Sequence, residues 1–183
     1  MEKNYRQNAC AVVFNRLGKV LLCKRRYGAD QFSWQFPQGG IEPGESPAQA
    51  AQRELAEETS MVSVIEVLSL PDPFCYDFPG EVIQKFIRQH GFSYDGQQQY
   101  WSLFFFTGED IEINLDTAEP EFIAWEWADI TTAADRVWPV KQKMYAEATA
   151  ILAPKIVSYL KKNGKKCQVQ QAGRKLEGAY HYT

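Results

Sequence analysis

Residues 36–61, FPQGGIEPGESPAQAAQRELAEETSM, decide how the rest of the chain is read. Ser46-Pro47 opens a helix: Ser46 can cap, Pro47 suits the first helical position, and Gln49 completes an S-x-x-Q capping box. Ala48, Ala51 and Leu55 recur at helical spacing as the face that meets a sheet, and the helix is expected to end near Thr59 or Ser60. On that helix Glu54, Glu57 and Glu58 stand at i, i+3 and i+4, so their carboxylates project from one side. Like charges at this spacing destabilise a helix unless something positive sits among them. A solvated acidic face would explain the glutamates alone. It does not explain Gly39-Gly40, or the tight turn set by Glu42-Pro43-Gly44-Glu45. Carboxylates are hard oxygen ligands suited to Mg2+ or Mn2+, and Mg2+ commonly combines a few protein oxygens with substrate phosphates and water. The cluster therefore points to a divalent cation and a phosphorylated substrate.

Working outward, residues 9–15 (ACAVVFN) and 19–26 (KVLLCKRR) are two β-type runs joined through Arg16-Leu17-Gly18, the pattern of a hairpin. Trp34-Gln35-Phe36 is a short strand candidate ended by Pro37. Beyond the helix, residues 62–70 read as a strand broken by Pro71-Asp72-Pro73, and 81–90 have a helical rhythm before Gly91. Residues 100–107 (YWSLFFFT) and 122–127 (FIAWEW) are aromatic-rich strands. From about 139 to 162 apolar residues return every three or four positions, which predicts a C-terminal helix interrupted near Pro154. The order of elements fits an α/β (α+β) class, a mixed sheet with helices packed against it.

At 183 residues the chain suits one domain over residues 1–162, followed by a basic, flexible tail over 163–183. The net charge of −3 conceals an asymmetry: residues 161–183 carry six Lys/Arg against one Glu, and the preceding residues fourteen against twenty-two acids. Such a tail either solubilises or touches nucleic acid or another partner. Cys10, Cys23, Cys75 and Cys167 are scattered without a C-x-x-C pair, which argues against a cysteine metal site. No apolar run reaches membrane-spanning length and the N-terminal residues lack a signal-peptide core, so no membrane partner and a cytoplasmic location are expected. His90 and His181, on an expected surface helix and in the tail, offer no alternative chemistry; a G-x-S-x-G elbow and a P-loop lysine are both absent.

Gly39, five residues, Glu45, seven residues, then Arg53-Glu54-Leu55-Ala56-Glu57-Glu58-Thr59-Ser60-Met61 resembles the Nudix box, G-x5-E-x7-R-E-U-x-E-E-x-G-U with U a bulky apolar residue. Eight of the nine key positions match; the last glycine is Ser60, which bears on the turn and not on the carboxylates. The resemblance implies an αβα sandwich and Mg2+- or Mn2+-dependent hydrolysis of a nucleoside diphosphate linked to another group. It assigns Glu54, Glu57 and Glu58 to metal, with Gly39 beside them, and counts Arg53 in the catalytic set. Arg53 and Glu45 would form an ion pair that fixes the loop against the helix. A binding module that keeps the box without turnover, a nucleotide or RNA sensor, is the rival reading.

Outside the box the chain is similar, over residues 4–160, to bacterial RNA pyrophosphohydrolases and to plant-type and bacterial diadenosine polyphosphate hydrolases. Tyr5-Arg6, Lys24-Arg25-Arg26, residues 33–40, 76–79 and 96–101, Glu112-Ile113-Asn114 and Pro120-Glu121-Phe122 before Trp125 carry the similarity. It implies Glu121, preferred over Glu119, as a general base or further metal ligand. Arg6 and Arg26 suit outer phosphates, or are solvated strand-end charges. Tyr76 can stack on a base or fill the core, and Ser33, Trp34, Gln97 and Gln99 join the substrate-binding set. Tyr100 stands where the RNA enzymes commonly carry Lys, and Tyr76-Asp77-Phe78-Pro79 leans towards dinucleoside polyphosphates. A dinucleoside polyphosphate or other nucleotide and 5′-triphosphorylated RNA are the two substrates implied; the oligomeric state is left open.

Overall fold

The computed structural model describes residues 2–27 and 30–177, with residue 30 and residues 164–177 as backbone alone. The elements are β1 (Tyr5–Phe14), β2 (Val20–Arg25), β3 (Trp34–Gln35), β4 (Gln38–Gly40), α1 (Pro47–Thr59), β5 (Val64–Ser69), β6 (Phe74–Asp77), α2 (Gly80–His90), β7 (Gly96–Phe106), β8 (Phe122–Ala128), α3 (Ala133–Arg136) and α4 (Gln142–Glu177). Among the described residues the strands form one mixed sheet in the order β3-β2-β1-β7-β5, with β4 also on β1, β6 on β7 and β8 on β2. β1 and β7 run parallel from Tyr5 beside Gly96 to Phe14 beside Phe105, and the other pairs are antiparallel.

β1 is buried on both faces because its residues 9–14 are all apolar, the pattern of a central strand. Alternation sends Ala9, Ala11 and Val13 to the core beneath α1, and Cys10, Val12 and Phe14 to the core beneath α4. The hairpin turn forms where expected: Gly18 sits at φ +75, Asn15 N–H donates to the Lys19 carbonyl at 2.9 Å, and Asn15 Oδ1 accepts from Leu17 and Lys19. In the capping box of α1, Gln49 N–H donates to Ser46 Oγ and Ser46 N–H to Gln49 Oε1. Ala50, Ala51 and Leu55 are buried on the sheet, whereas Ala48 is only half-buried.

Three expectations change. The strand expected from Tyr100 begins at Gly96, because Gln97, Gln98 and Gln99 pair with β1 on one side and β6 on the other despite their polarity. α4 passes through Pro154 without interruption. Met144, Tyr145, Ala148, Leu152 and Ile156 are buried on both sides of the proline, while Pro154 and Ala150, whose carbonyl lacks its usual donor, are exposed. Packing therefore outweighs one missing hydrogen bond. The α4 backbone continues to Glu177, into the stretch assigned to the tail, and residues 178–183, with His181, lie outside the described residues. Among the described residues no helix is long and apolar enough to cross a membrane.

α1 ends in a left-handed residue, Ser60, at φ 62 and ψ 5, whose N–H donates to the Ala56 carbonyl. Glu112 secures the following turn by accepting Val62 N–H and Ser63 N–H at 2.6 and 2.7 Å. A side chain in the left-handed region costs about 1 kcal/mol relative to glycine. Ser60→Gly is therefore expected to raise the melting temperature by about 2–4 °C with turnover unchanged; a lower melting temperature would show that the Ser60 hydroxyl, 3.3 Å from the Asn114 carbonyl, matters more than the backbone strain.

Candidate active site

Arg53 joins the glycine loop to the acidic helix. Its Nε and Nη2 reach both oxygens of Glu45 at 2.8 and 3.0 Å, and Nη2 also donates to the Gly40 carbonyl at 2.8 Å. Nη1 bridges Glu54 at 2.9 Å and Glu57 at 3.1 Å. The bidentate contact with Arg53, followed by a backbone N–H from Glu42, holds the Glu45 carboxyl below its usual range. A Cβ on Gly39 would lie 2.0 Å from the Glu54 carboxylate, so any other residue there would displace that carboxylate from its present place.

Glu58 is 5% exposed, and its Oε2 accepts Gln38 N–H at 3.0 Å. Burial first, then the charges of Glu121 and Glu54, push its pKa up to about 9 against the opposing Gln38 N–H and Arg25. Burial also raises Glu54, which Arg53 opposes and Glu57 and Glu121 reinforce. Glu121, from the loop before β8, thus shares one electrostatic field with two residues of α1. Its position is fixed by Arg26, whose N–H donates to the Glu121 carbonyl at 2.8 Å and whose Nε donates to the Pro120 carbonyl at 3.2 Å. Among the described residues no three acidic groups stand close enough to form a ready-made metal cage, and Arg53 occupies two of the four carboxylates. The donors nevertheless suit a hard divalent cation: carboxylate oxygens, mutually repelling, around a glycine that admits Glu54 to the loop.

A cavity of about 780 Å³ opens beside these acids. Its lining includes Glu54, Glu121, Gly39 and Gly40 together with Tyr76, Phe78, Trp138 and, from α2, Val82 and Phe86. Of the substrate-binding residues expected from sequence, Arg6, Ser33, Trp34, Tyr76 and Gln97 line it. Tyr76 is buried and still forms wall: its hydroxyl donates to Gln97 Oε1 at 2.6 Å, and its ring meets Trp138 edge-on at 6.5 Å. Arg26 and Gln99 are not in the lining. Arg26 braces the Glu121 loop instead, and Gln99 is fully buried, donating to Asn8 Oδ1 at 2.6 Å and Gln38 Oε1 at 2.7 Å. Arg25, not the expected Arg26, lines the cavity; the pairing of β2 with β8 shifts register between Lys24 and Arg25, which the run Lys24-Arg25-Arg26 does not reveal. Glu119 is likewise outside the lining, whereas Glu121 is in it.

Sequence reasoning missed Lys141. It lies in the cavity lining, 5% exposed, with Nζ 5.5 Å from the centre of the Tyr76 ring. Burial first, then Arg25, lowers its pKa to about 7, while Cys10, Glu58 and Glu121 act to raise it. A lone lysine after Trp138-Pro139-Val140, ahead of an apolar helix, was the available signal.

The sequence profile of the NUDIX domain matches residues 4–148. An RNA pyrophosphohydrolase of Rhodospirillum rubrum is 38% identical over 149 residues, 81% of this chain and 87% of that protein. Nudix hydrolase 27, a chloroplastic protein of Arabidopsis thaliana, is 42% identical over 126 residues, 67% of this chain and 55% of that protein. An Ap4A hydrolase from C. elegans, solved as a binary complex, superimposes with a TM-score of 0.58 at 20% identity, over 81% of this chain and 98% of that one, a likeness of fold. The profile spans most of the chain and includes the glycine loop, the acidic helix and Glu121, so the chain belongs to the Nudix family and is a Nudix hydrolase.

Proposed function

We propose that this Nudix hydrolase cleaves a phosphoanhydride bond at the 5′ end of triphosphorylated RNA, using Mg2+ or Mn2+. The observation that carries the reading is the layout of the cavity: acids at one end, the cations Arg6, Arg25 and Lys141 along its walls, and Tyr76 and Trp138 as a stacking surface for a base. Relatives named RNA pyrophosphohydrolases support it. A second reading, hydrolysis of dinucleoside polyphosphates, is favoured by Tyr100 in place of Lys and by Tyr76-Asp77-Phe78-Pro79.

In either case the Gly39 carbonyl and the carboxylates of Glu54, Glu57, Glu58 and Glu121 would hold the cation. When bound, the cation supplies charge neutralisation at the phosphate oxygens and a more acidic water. The rest falls to the chain. Arg53 keeps loop and helix in register, so the carboxylates keep their mutual positions. Arg6 and Arg25 draw the outer phosphates towards the acids. A Glu121 carboxylate oxygen accepts the proton as water oxygen bonds to phosphorus, and the anhydride oxygen departs with the rest of the phosphate chain.

Parallel kcat/KM measurements on 5′-triphosphorylated RNA, diadenosine tetraphosphate and simple NTPs, with and without Mg2+, test the proposal. RNA is expected to be preferred by about tenfold or more; preference for the dinucleoside would select the second reading, and Mg2+-dependent binding without phosphate release would identify a sensor.

Glu58 gives a sharper test, because function and stability oppose one another there. Its folded pKa, up to about 9, exceeds the ordinary carboxyl value, so the metal-free protein loses stability as pH rises from the unfolded pKa towards the folded one. Glu58→Gln should therefore raise the metal-free melting temperature at about pH 8, by roughly 2–4 °C or more, and change it little at about pH 4. The same variant, like Glu57→Gln, should lower kcat by roughly 10²-fold or more. Near-normal turnover in both variants would rule out the assigned carboxylates.

Lys141 faces the substrate with a poised charge. Lys141→Met should raise KM by about tenfold with a smaller change in kcat, and Lys141→Arg should recover most of the loss. In the wild type KM should climb as pH rises above about 7, where Lys141 loses its proton, and Lys141→Met should flatten that climb. A profile unchanged by Lys141→Met would remove the residue from substrate binding.

A further inference from the structure

A second cavity, of about 510 Å³, adjoins the first. Arg6, Gly40 and Glu54 line both, so the two meet where the glycine loop passes the acidic helix. They open on opposite faces of the sheet. Alternation along β1 puts Arg6 and Asn8 on the face of Cys10, beneath α4, and Tyr5 and Gln7 on the face of Ala9, beneath α1. Asn8 lines the first cavity, and Tyr5 and Gln7 line the second. Arg6 reaches across the strand edge between them: a Cβ on Gly40 would lie 3.0 Å from its Nη2.

The second cavity has aromatic surface that the core does not use. Tyr5 lies across Gly96, where a Cβ would come within 2.9 Å of its ring. Its hydroxyl donates to Asp77 Oδ1 at 2.6 Å, and Lys3 Nζ holds the other oxygen of that carboxylate at 2.6 Å, so the ring is fixed in advance of any ligand. Tyr94, just before β7, also lines the cavity and meets Phe92 edge-on at 5.9 Å. Both tyrosines are half-buried, and neither belongs to the hydrophobic core on either face.

Charge restricts the occupant. Arg53 is engaged by Glu45, Glu54, Glu57 and the Gly40 carbonyl, which leaves Arg6, at the junction, as the lining cation open to phosphate. Glu42 adds an exposed carboxylate to the lining. A neutral aromatic group therefore suits this cavity better than a further phosphate. Tyr5 stands three residues before Asn8, the partner of Gly40, so about 10 Å of strand separates it from the glycine loop. A chain of a few phosphates covers that distance.

We infer that the second cavity binds the nucleoside at the far end of the phosphate chain of a dinucleoside polyphosphate, with its base against Tyr5 and Tyr94. The inference deepens the dinucleoside reading of the same acids and rests on it. The near nucleoside occupies the first cavity, the phosphates cross at Arg6 and the acids, and the leaving nucleotide departs from the α1 face. A triphosphate chain without a second nucleoside ends at the junction.

The test uses Tyr94→Ala and Tyr94→Trp in the full-length protein, with circular dichroism to confirm the fold. Values of kcat/KM are measured on diadenosine tetraphosphate, on adenosine 5′-tetraphosphate, which has the same phosphate chain without the second nucleoside, and on 5′-triphosphorylated RNA. Calorimetry measures binding of methylene-bridged analogues of the first two. Wild-type protein is expected to bind the dinucleoside analogue more tightly than the mononucleoside one. Tyr94→Ala should weaken dinucleoside binding and kcat/KM by about 5- to 30-fold and Tyr94→Trp should restore both, with values for the other two substrates close to wild type. Equal losses on every substrate, or equal wild-type affinity for the two analogues, would overturn the site. Dinucleoside turnover indifferent to Tyr94 would refute the site and leave the dinucleoside reading standing. Tyr94-dependent binding of the dinucleoside analogue without dinucleoside turnover would refute that reading and leave the site standing.

Discussion

One guanidinium holds the glycine loop against the acidic helix, and the geometry around it depends on that constraint. Glu54, Glu57 and Glu58 repel one another on a single helical face, and nothing within α1 except Arg53 opposes them. The same side chain reaches out of the helix to Glu45 and the Gly40 carbonyl. It therefore neutralises part of the charge and fixes where the loop passes. Gly39 then lies so close to Glu54 that a side chain there would push the carboxylate away. Bidentate geometry matters: a lysine would supply a charge and could not span loop carbonyl, loop carboxylate and two helix carboxylates together.

The sheet supplies what the helix cannot. Parallel pairing of β1 with β7 brings Arg6 beside Gln97, and β6 on the far side of β7 adds Tyr76 to the same row. A residue from each of three strands thus faces one cavity, while α1 reaches it from below the glycine loop. β8 pairs with β2 on the other side, and the Arg26 backbone and side chain hold the Pro120-Glu121 loop at the acidic end. Glu121 and Glu58 come from opposite halves of the chain, yet Glu58 feels the charge of Glu121 because both are tied to this framework.

The acidic end was legible in the sequence because its chemistry is local. Ser46, Pro47 and Gln49 announce the helix, helical spacing aligns the glutamates, and Arg53 stands within reach of Glu45 once the intervening turn closes. The cavity walls were less legible because they depend on pairing between distant strands. Gln97 and Gln99 look alike in sequence. Strand alternation puts them on one face of β7, but the partner strands decide the rest: Gln97 reaches the cavity beside Tyr76, and Gln99 is enclosed by Asn8 and Gln38. Arg26 was chosen over Arg25 for the same kind of reason, a register shift that no local pattern reveals. Pro154 misled by its intrinsic preference, which the buried face of α4 overrides. Lys141 escaped notice because a single lysine carries no pattern, and its significance arises only from burial against Tyr76.

The acidic and aromatic ends answer different physical demands. Phosphate chemistry requires charges held close despite repulsion, which needs rigid support from buried neighbours: Glu58 sits under the loop, Glu54 against Gly39, and Arg53 between them. The aromatic end makes no such demand: Tyr76, Phe78 and Phe86 follow one another towards an exposed helix without disturbing the core. The link between the two is Lys141, buried at Tyr76 and electrostatically within reach of Glu58 and Glu121. A cation in that place lowers the cost of gathering acids at one end and lines the cavity at the other. On the proposed reading, discrimination among phosphoanhydrides would rest on the groups attached beyond the phosphates, since the acids would meet much the same group in every substrate and only the aromatic wall would meet the part that differs.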